Sequence, residues 1–226
     1  MINSDIVNSN GSVKDMTVDV PLNGITLGGR LSVPPNARGI VIFAHGSGSS
    51  RFSFRNWYVA EMLYEHNIAS LLTDLLSPEE EEIDLRTRHL RFDIPMLADR
   101  LVQIADWVKR SAVTKNLKMG YFGASTGGGA ALIAAAQRPG DIATVVSRGG
   151  RPDLAGKFLS GVKIPALLIV GENDPEVLKL NEEALDDLND ESRLFIIPGA
   201  THLFEEPGTL HMVAQIAADW FKKYIG

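Results

Sequence analysis

The sequence predicts an α/β fold, a mostly parallel sheet of about eight strands with helices on both faces, and three observations carry that prediction. Short apolar runs alternate with segments of helical period almost to the last residue. Most of those runs are apolar at every position, as strands buried between two helix layers must be. One of them leads directly into a stretch made almost wholly of Gly and Ala, 127–137, which suits a helix packed against a sheet rather than one facing water. A chain of 226 residues fits one such domain. The expected organisation is a polar, flexible segment over 1–15 and a single domain over 16–226, with too little chain left for a large cap.

The elements follow in order. Residues 16–20 and 25–33 read as two strands joined by a turn over Pro21 to Gly24, where Asn23-Gly24 favours positive φ, so the sheet opens with an antiparallel hairpin. Parallel-strand candidates recur at 39–44, 68–73, 118–122, 142–147, 166–170 and 193–197. Between them, 56–65, 94–110, 127–137, 176–188 and 209–224 carry helical periodicity, as in Leu97, Leu101, Ile104, Ala105 and Val108. One connection breaks the rhythm. Residues 75–93 hold the acidic run Glu79 to Glu82 and then Arg86, Arg88, His89 and Arg91, too long for a turn and of the length that lids or disordered loops use. The acidic run itself reads as a solvated face or a helix start.

Composition narrows the chemistry. Lys plus Arg 22 against Asp plus Glu 28 gives a net charge of −6, without the basic excess of a nucleic-acid binder. There is no cysteine, so disulfides, thiolate metal sites and a cysteine nucleophile are all excluded. No apolar run reaches the roughly 18 to 20 residues of a membrane-spanning helix. The N-terminus is polar, without a basic start and apolar core, which makes the cytoplasm the expected compartment.

The most informative segment is the strand at 118–122 running through Gly123-Ala124-Ser125-Thr126-Gly127 into the small-residue helix. This is G-x-S-x-G between strand and helix, where the turn is tight enough that only glycine two residues to either side leaves room for its neighbours. Ser125 is the candidate nucleophile, exposed at a helix N-terminus whose amides favour developing negative charge. A dinucleotide-binding turn is excluded, because G-x-G-x-x-G is not formed and the next strand ends on Ser147-Arg148 rather than an acidic residue.

A serine hydroxyl needs a base, and the base an orienting carboxylate. In sheets bearing such a turn the chain order is serine, acid, histidine. The strand at 166–170 is followed by Glu172-Asn173-Asp174-Pro175, and that at 193–197 by Gly199-Ala200-Thr201-His202. Asp174 is the candidate acid, with Glu172 its competitor and a helix N-cap its structural alternative. Of the five histidines, His66 and His211 fall within predicted helices, His89 lies in the long charged connection and His45 precedes the serine, which leaves His202, on the loop after the last strand, as the candidate base. For the oxyanion, the loop His45-Gly46-Ser47-Gly48 after the strand at 39–44 offers the amide of Ser47, and the residue after the nucleophile, Thr126, offers the other. His45 is expected to buttress that loop.

Taken together, His45-Gly46, the turn around Ser125, Asp174 and His202 resemble the α/β-hydrolase superfamily over nearly the whole chain, and the short chain is similar to its dienelactone hydrolase-like branch. That resemblance implies hydrolysis of an ester or lactone through an acyl-enzyme, with no metal and no organic cofactor. The branch's namesake uses a cysteine nucleophile, and Ser125 stands in its place here.

A further cluster, Ser147-Arg148-Gly149-Gly150-Arg151-Pro152-Asp153, follows the strand at 142–147 and belongs at the carboxyl edge of the sheet, near the pocket. Arg148 and Arg151 either grip an anionic part of the substrate or pair with Asp153 and hold the rim together. Arg51 and Arg55, after the oxyanion loop, are weaker candidates of the same kind. The expected function is a serine-dependent carboxylic ester hydrolase (esterase or lactonase) acting on a small ester, lactone or thioester. Acyl transfer by the same triad, or a non-catalytic binding protein on the same fold, are the alternatives. No nucleic-acid or membrane partner is expected.

Overall fold

The computed structural model describes residues 13–226. Eight strands form one sheet: β1 (Val13–Pro21), β2 (Thr26–Val33), β3 (Gly39–Ala44), β4 (Ala69–Thr73), β5 (Lys118–Ala124), β6 (Ile142–Arg148), β7 (Ala166–Gly171) and β8 (Arg193–Ile197). Their order is β1-β2-β4-β3-β5-β6-β7-β8, with β1 and β2 antiparallel, β2 antiparallel to β4, and every later pairing parallel. The helices are α1 (Phe54–Glu65), α2 (Pro78–Thr87), α3 (Ile94–Arg110), α4 (Thr126–Gln137), α5 (Pro175–Leu185) and α6 (Thr209–Ile225).

Strand alternation divides the core between two faces. Along β3, Ile40 and Ile42 join the apolar cluster beneath α3 and α4, while Val41 and Phe43 join the one beneath α1 and α6. On β7, Ala166 and Leu168 go one way and Leu167 and Ile169 the other. A strand that must fill both layers has no position left for a polar residue, which is why these runs read as continuously apolar. The edge strand β8 departs from that rule: Phe195 and Ile196 are exposed at the open side of the sheet.

The connection over 75–93 is structured rather than a loop. It contains α2 and a short 3-10 turn, Leu90–Phe92. Ser77 and Glu80 form a reciprocal capping box, Pro78 opens the helix, and Glu79 to Glu81 occupy its first turn, where anions meet the positive end of the helix dipole. The acidic run is only partly solvated, since Glu80 pairs with the buried Arg100, which also donates to the carbonyl of Leu75. Asp84 is buried against Arg91 and accepts from the amides of Leu90 and Arg91. A second helical segment absent from the sequence reading, Pro152–Gly161, packs on α4.

The N-terminal boundary also moves. β1 begins at Val13, so residues 13–15 of the expected flexible segment belong to the sheet, and 1–12 lie outside the described residues. Helix α5 ends at Leu185, three residues ahead of its expected end at Leu188. Among the described residues no helix is long and apolar enough to cross a membrane.

Candidate active site

The sheet order reverses between β3 and β5: from β3 the chain returns to β4 on one side, and from β5 to β6 on the other. The loops leaving the carboxyl ends of β3 and β5 therefore diverge and leave a crevice, the usual ligand site of an open parallel sheet. Register holds those ends level, with Ala44 opposite Gly123 and Ala124 opposite Arg148.

Ser125 sits at φ 51°, ψ −122°, a conformation a side-chain-bearing residue adopts only when its surroundings compel it. Those surroundings are visible. A Cβ on Gly127 would overlap the carbonyl oxygen of Ala44, and one on Gly123 would stand 2.5 Å from the Gly127 carbonyl oxygen. The turn is locked further by the Ser125 amide donating to Arg148 O (3.2 Å) and by Ser125 O accepting from Gly128 and Arg151 amides (2.9 and 3.1 Å). Ser125 occupies the N-cap position of α4 without spending its hydroxyl on a cap. The side chain is left for the crevice.

The structure brings His202 and Asp174 together, Nδ1 to Oδ2, at 2.6 Å. It also separates the two acids that competed in the sequence. Glu172 accepts the amide of Gly199 at 2.7 Å and so fixes the turn before His202, whereas Asp174 meets the ring. Asp174 stands at the N-cap position of α5 but does not cap it. The β7 and β8 loops are tied by Asn173 N–H to Ala200 O (2.8 Å) and by an approach at Gly171 so close that a Cβ there would overlap the same carbonyl. Gly149, at φ 52°, lets the loop after β6 pass beside the imidazole, where a Cβ would stand 3.4 Å from Cε1 of His202.

Ser125 and His202 line one cleft of about 240 Å³ with Gly46, Ser47, Arg55 and Arg148. The Ser47 amide does not face open space: it donates to Thr126 Oγ1 at 2.9 Å. Ser47 and Thr126, with His45 and Leu75, also line a second cavity beside α2. His45 is fixed between two backbone groups, its Nε2 accepting from the Leu75 amide (3.1 Å) and its Nδ1 facing Gly46 O (3.0 Å). An Nε2 that accepts cannot carry the proton, so Nδ1 does. Burial pushes the His45 pKa below its usual value, against the pull of the Gly46 carbonyl, and the ring is a neutral brace for the loop.

The arginines divide. Arg151 is bidentate to Asp153 (2.8 and 2.7 Å) and Arg51 pairs with Asp74, and neither arginine is among the residues that line the cleft. The pairing with Asp153 is one of the two readings of Arg151 from the sequence. Arg148 does line the cleft, and so does Arg55, the weaker candidate. Spacing could not have shown this, because Arg55 reaches the cleft through the placement of α1.

An eight-stranded sheet with a strained serine after β5 and an Asp–His pair after β7 and β8 defines an α/β-hydrolase fold. The dienelactone hydrolase family matches residues 27–225, and the chain belongs to that family. A solved dienelactone hydrolase from Anabaena variabilis is 59% identical, superposes with a TM-score of 0.93, and is matched over 94% of this chain and 99% of its own. Est1E from Butyrivibrio proteoclasticus shares the fold at a TM-score of 0.77 and 16% identity, over 92% of this chain and 98% of its own. Proteins from two strains of Mycobacterium tuberculosis, provisionally named phosphoribosyl transferases, are 53% identical over 209 residues, 92% of this chain. The chain spans 46% of their length.

Proposed function

We propose that this chain is a serine hydrolase that cleaves a carboxylic ester, lactone or thioester of a small molecule through an acyl-serine intermediate. One observation carries the reading: a strained Ser125 shares a cleft with an imidazole whose Nδ1 is already engaged by Asp174, leaving Nε2 for the hydroxyl. Membership of a hydrolase family and the 59% identity to a dienelactone hydrolase support it.

In this reading Nε2 of His202 takes the Ser125 proton as Oγ attacks the carbonyl carbon. The Ser47 and Thr126 amides hold the tetrahedral oxyanion, and Asp174 stabilises the imidazolium. The imidazolium then protonates the departing alcohol or thiol. Water, deprotonated by His202, attacks the acyl-serine and restores the free serine. Every step is proton transfer and acyl transfer among groups the chain itself supplies.

A second reading is acyl transfer by the same residues, since an acyl-serine can pass its acyl group to an acceptor other than water. Product partition with added alcohols or thiols separates the two. The hydrolase reading itself is tested with an activity-based fluorophosphonate. It expects one adduct, on Ser125, lost in Ser125→Ala; labelling that persists in that variant overturns it.

A further inference from the structure

Arg148 is 8% exposed, yet its Nε and Nη1 have no hydrogen-bond partner among the described residues, and no carboxylate there offsets its charge. Its nearest notable company is the face of Phe204, 5.9 Å from the guanidinium carbon, and a second cation, Arg55. Burial, reinforced by the charge of Arg55, pushes the Arg148 pKa down to about 10, which still leaves a cation at neutral pH. Arg55 spends only Nη1, on Glu205 at 3.2 Å, and its Nε is likewise unpartnered. Arg148 and Arg55 both belong to the lining of the cleft that holds Ser125 and His202, and no carboxylate is among its lining residues. The first turn of α1 closes the same cleft, with its N-cap Ser53 and the buried Asn56 in the lining and no acidic residue in that turn.

Holding an unpaired guanidinium out of water is costly, and a fold keeps such a group where something else supplies the counter-charge. Two cations at a helix N-terminus, inside a cleft without an acid, are complementary to an oxyanion. We propose that Arg148, assisted by Arg55, binds an anionic group of the substrate, a carboxylate or a phosphate, and so places the ester carbonyl of an anionic ester over Ser125. The ester part rests on the hydrolase reading; the anion site does not. Arg148 reaches this position because β6 runs one residue further than the buried apolar run, ending level with Ala124 just ahead of the nucleophile.

The test titrates the wild-type protein and Arg148→Met, Arg148→Lys, Arg55→Met and Arg151→Gln with inorganic phosphate and with succinate, following thermal midpoint and the rate of fluorophosphonate labelling. The wild type should be stabilised, and its labelling slowed, by at least one anion, and the better of the two identifies the group. Arg148→Met should weaken that binding roughly ten- to hundredfold, the loss expected for a charge-assisted hydrogen-bond pair. Arg148→Lys and Arg55→Met should fall between, and Arg151→Gln should bind like wild type. Without ligand, Arg148→Met should melt no lower than wild type, which a purely structural arginine would not allow. A wild type that binds neither anion, or Arg148 variants that bind as tightly, overturns the proposal. Anion binding without Ser125 labelling would instead sink the hydrolase reading and leave the anion site standing.

Discussion

The amide of Ser47 donates to Thr126 Oγ1 at 2.9 Å, so the loop after β3 is fastened to the residue that follows the nucleophile. In the proposed mechanism the Ser47 N–H is shared between this hydroxyl and the developing oxyanion, so that the Thr126 side chain keeps the amide pointed without giving up its bond. Thr126 then has two roles in the proposed mechanism, its own amide as one donor and its side chain as the aim of the other. Thr126→Val should lower kcat by about tenfold, less than the hundred- to thousandfold typical of losing a donor outright, because the amides remain but one loses its guide. Thr126→Ser should restore most of the rate. Steady-state kinetics on a chromogenic short-chain ester reads both.

The two acids of the β7 loop should separate in the same assay. Asp174→Asn leaves the ring without its orienting charge and should cost on the order of 10³ to 10⁴ in kcat. Glu172→Gln weakens only the bond to the Gly199 amide and should cost less than about tenfold in kcat, with a stability loss near 1 kcal/mol. The reverse ranking would move the acid role to Glu172.

Gly127→Ala tests the turn itself. Its Cβ would overlap a backbone carbonyl of β3, which cannot move aside as a side chain would. Urea denaturation should show a loss of about 3 kcal/mol or more, the scale of overpacking added to backbone strain. Substitution at Gly140, where a Cβ meets nothing within 4 Å, is the control and should stay within about 1 kcal/mol of wild type.

His45 sets a pH dependence of stability. Its folded pKa lies below the unfolded value of 6.5, so the unfolded chain takes up a proton that the fold excludes as pH falls. Stability present above 6.5 should decline by up to about 1.4 kcal/mol per pH unit toward pH 5. His45→Gln should flatten that slope when urea midpoints are compared across the range. An unchanged slope would mean that His45 is protonated in the fold.

Much of this was legible in the sequence because it rests on local chemistry. The turn around Ser125 needs its glycines whatever surrounds it, and strands buried on both faces must be apolar throughout. Helix α2 was also written locally, in Ser77-Pro78-Glu79-Glu80, a capping box at the helix start that was one of the two readings of the acidic run. What was hidden depends on long-range placement. Asp174 and Glu172 are two residues apart, and only the position of the β8 loop decides which one meets His202. Arg55 and Arg148 are far apart in sequence and share a cleft because α1 and the end of β6 flank the same crevice.

The absence of a side chain at Gly171 has a further consequence. With no side chain between it and Ala200, the segments that carry Asp174 and His202 pack backbone against backbone and are joined there by a hydrogen bond, so a displacement of one must carry the other. A substitution that alters the cleft's shape is then cheapest elsewhere in its lining, at Ser53 and Arg55 around the start of α1, which take no part in that contact. Changes there would leave the contact between the two loops untouched.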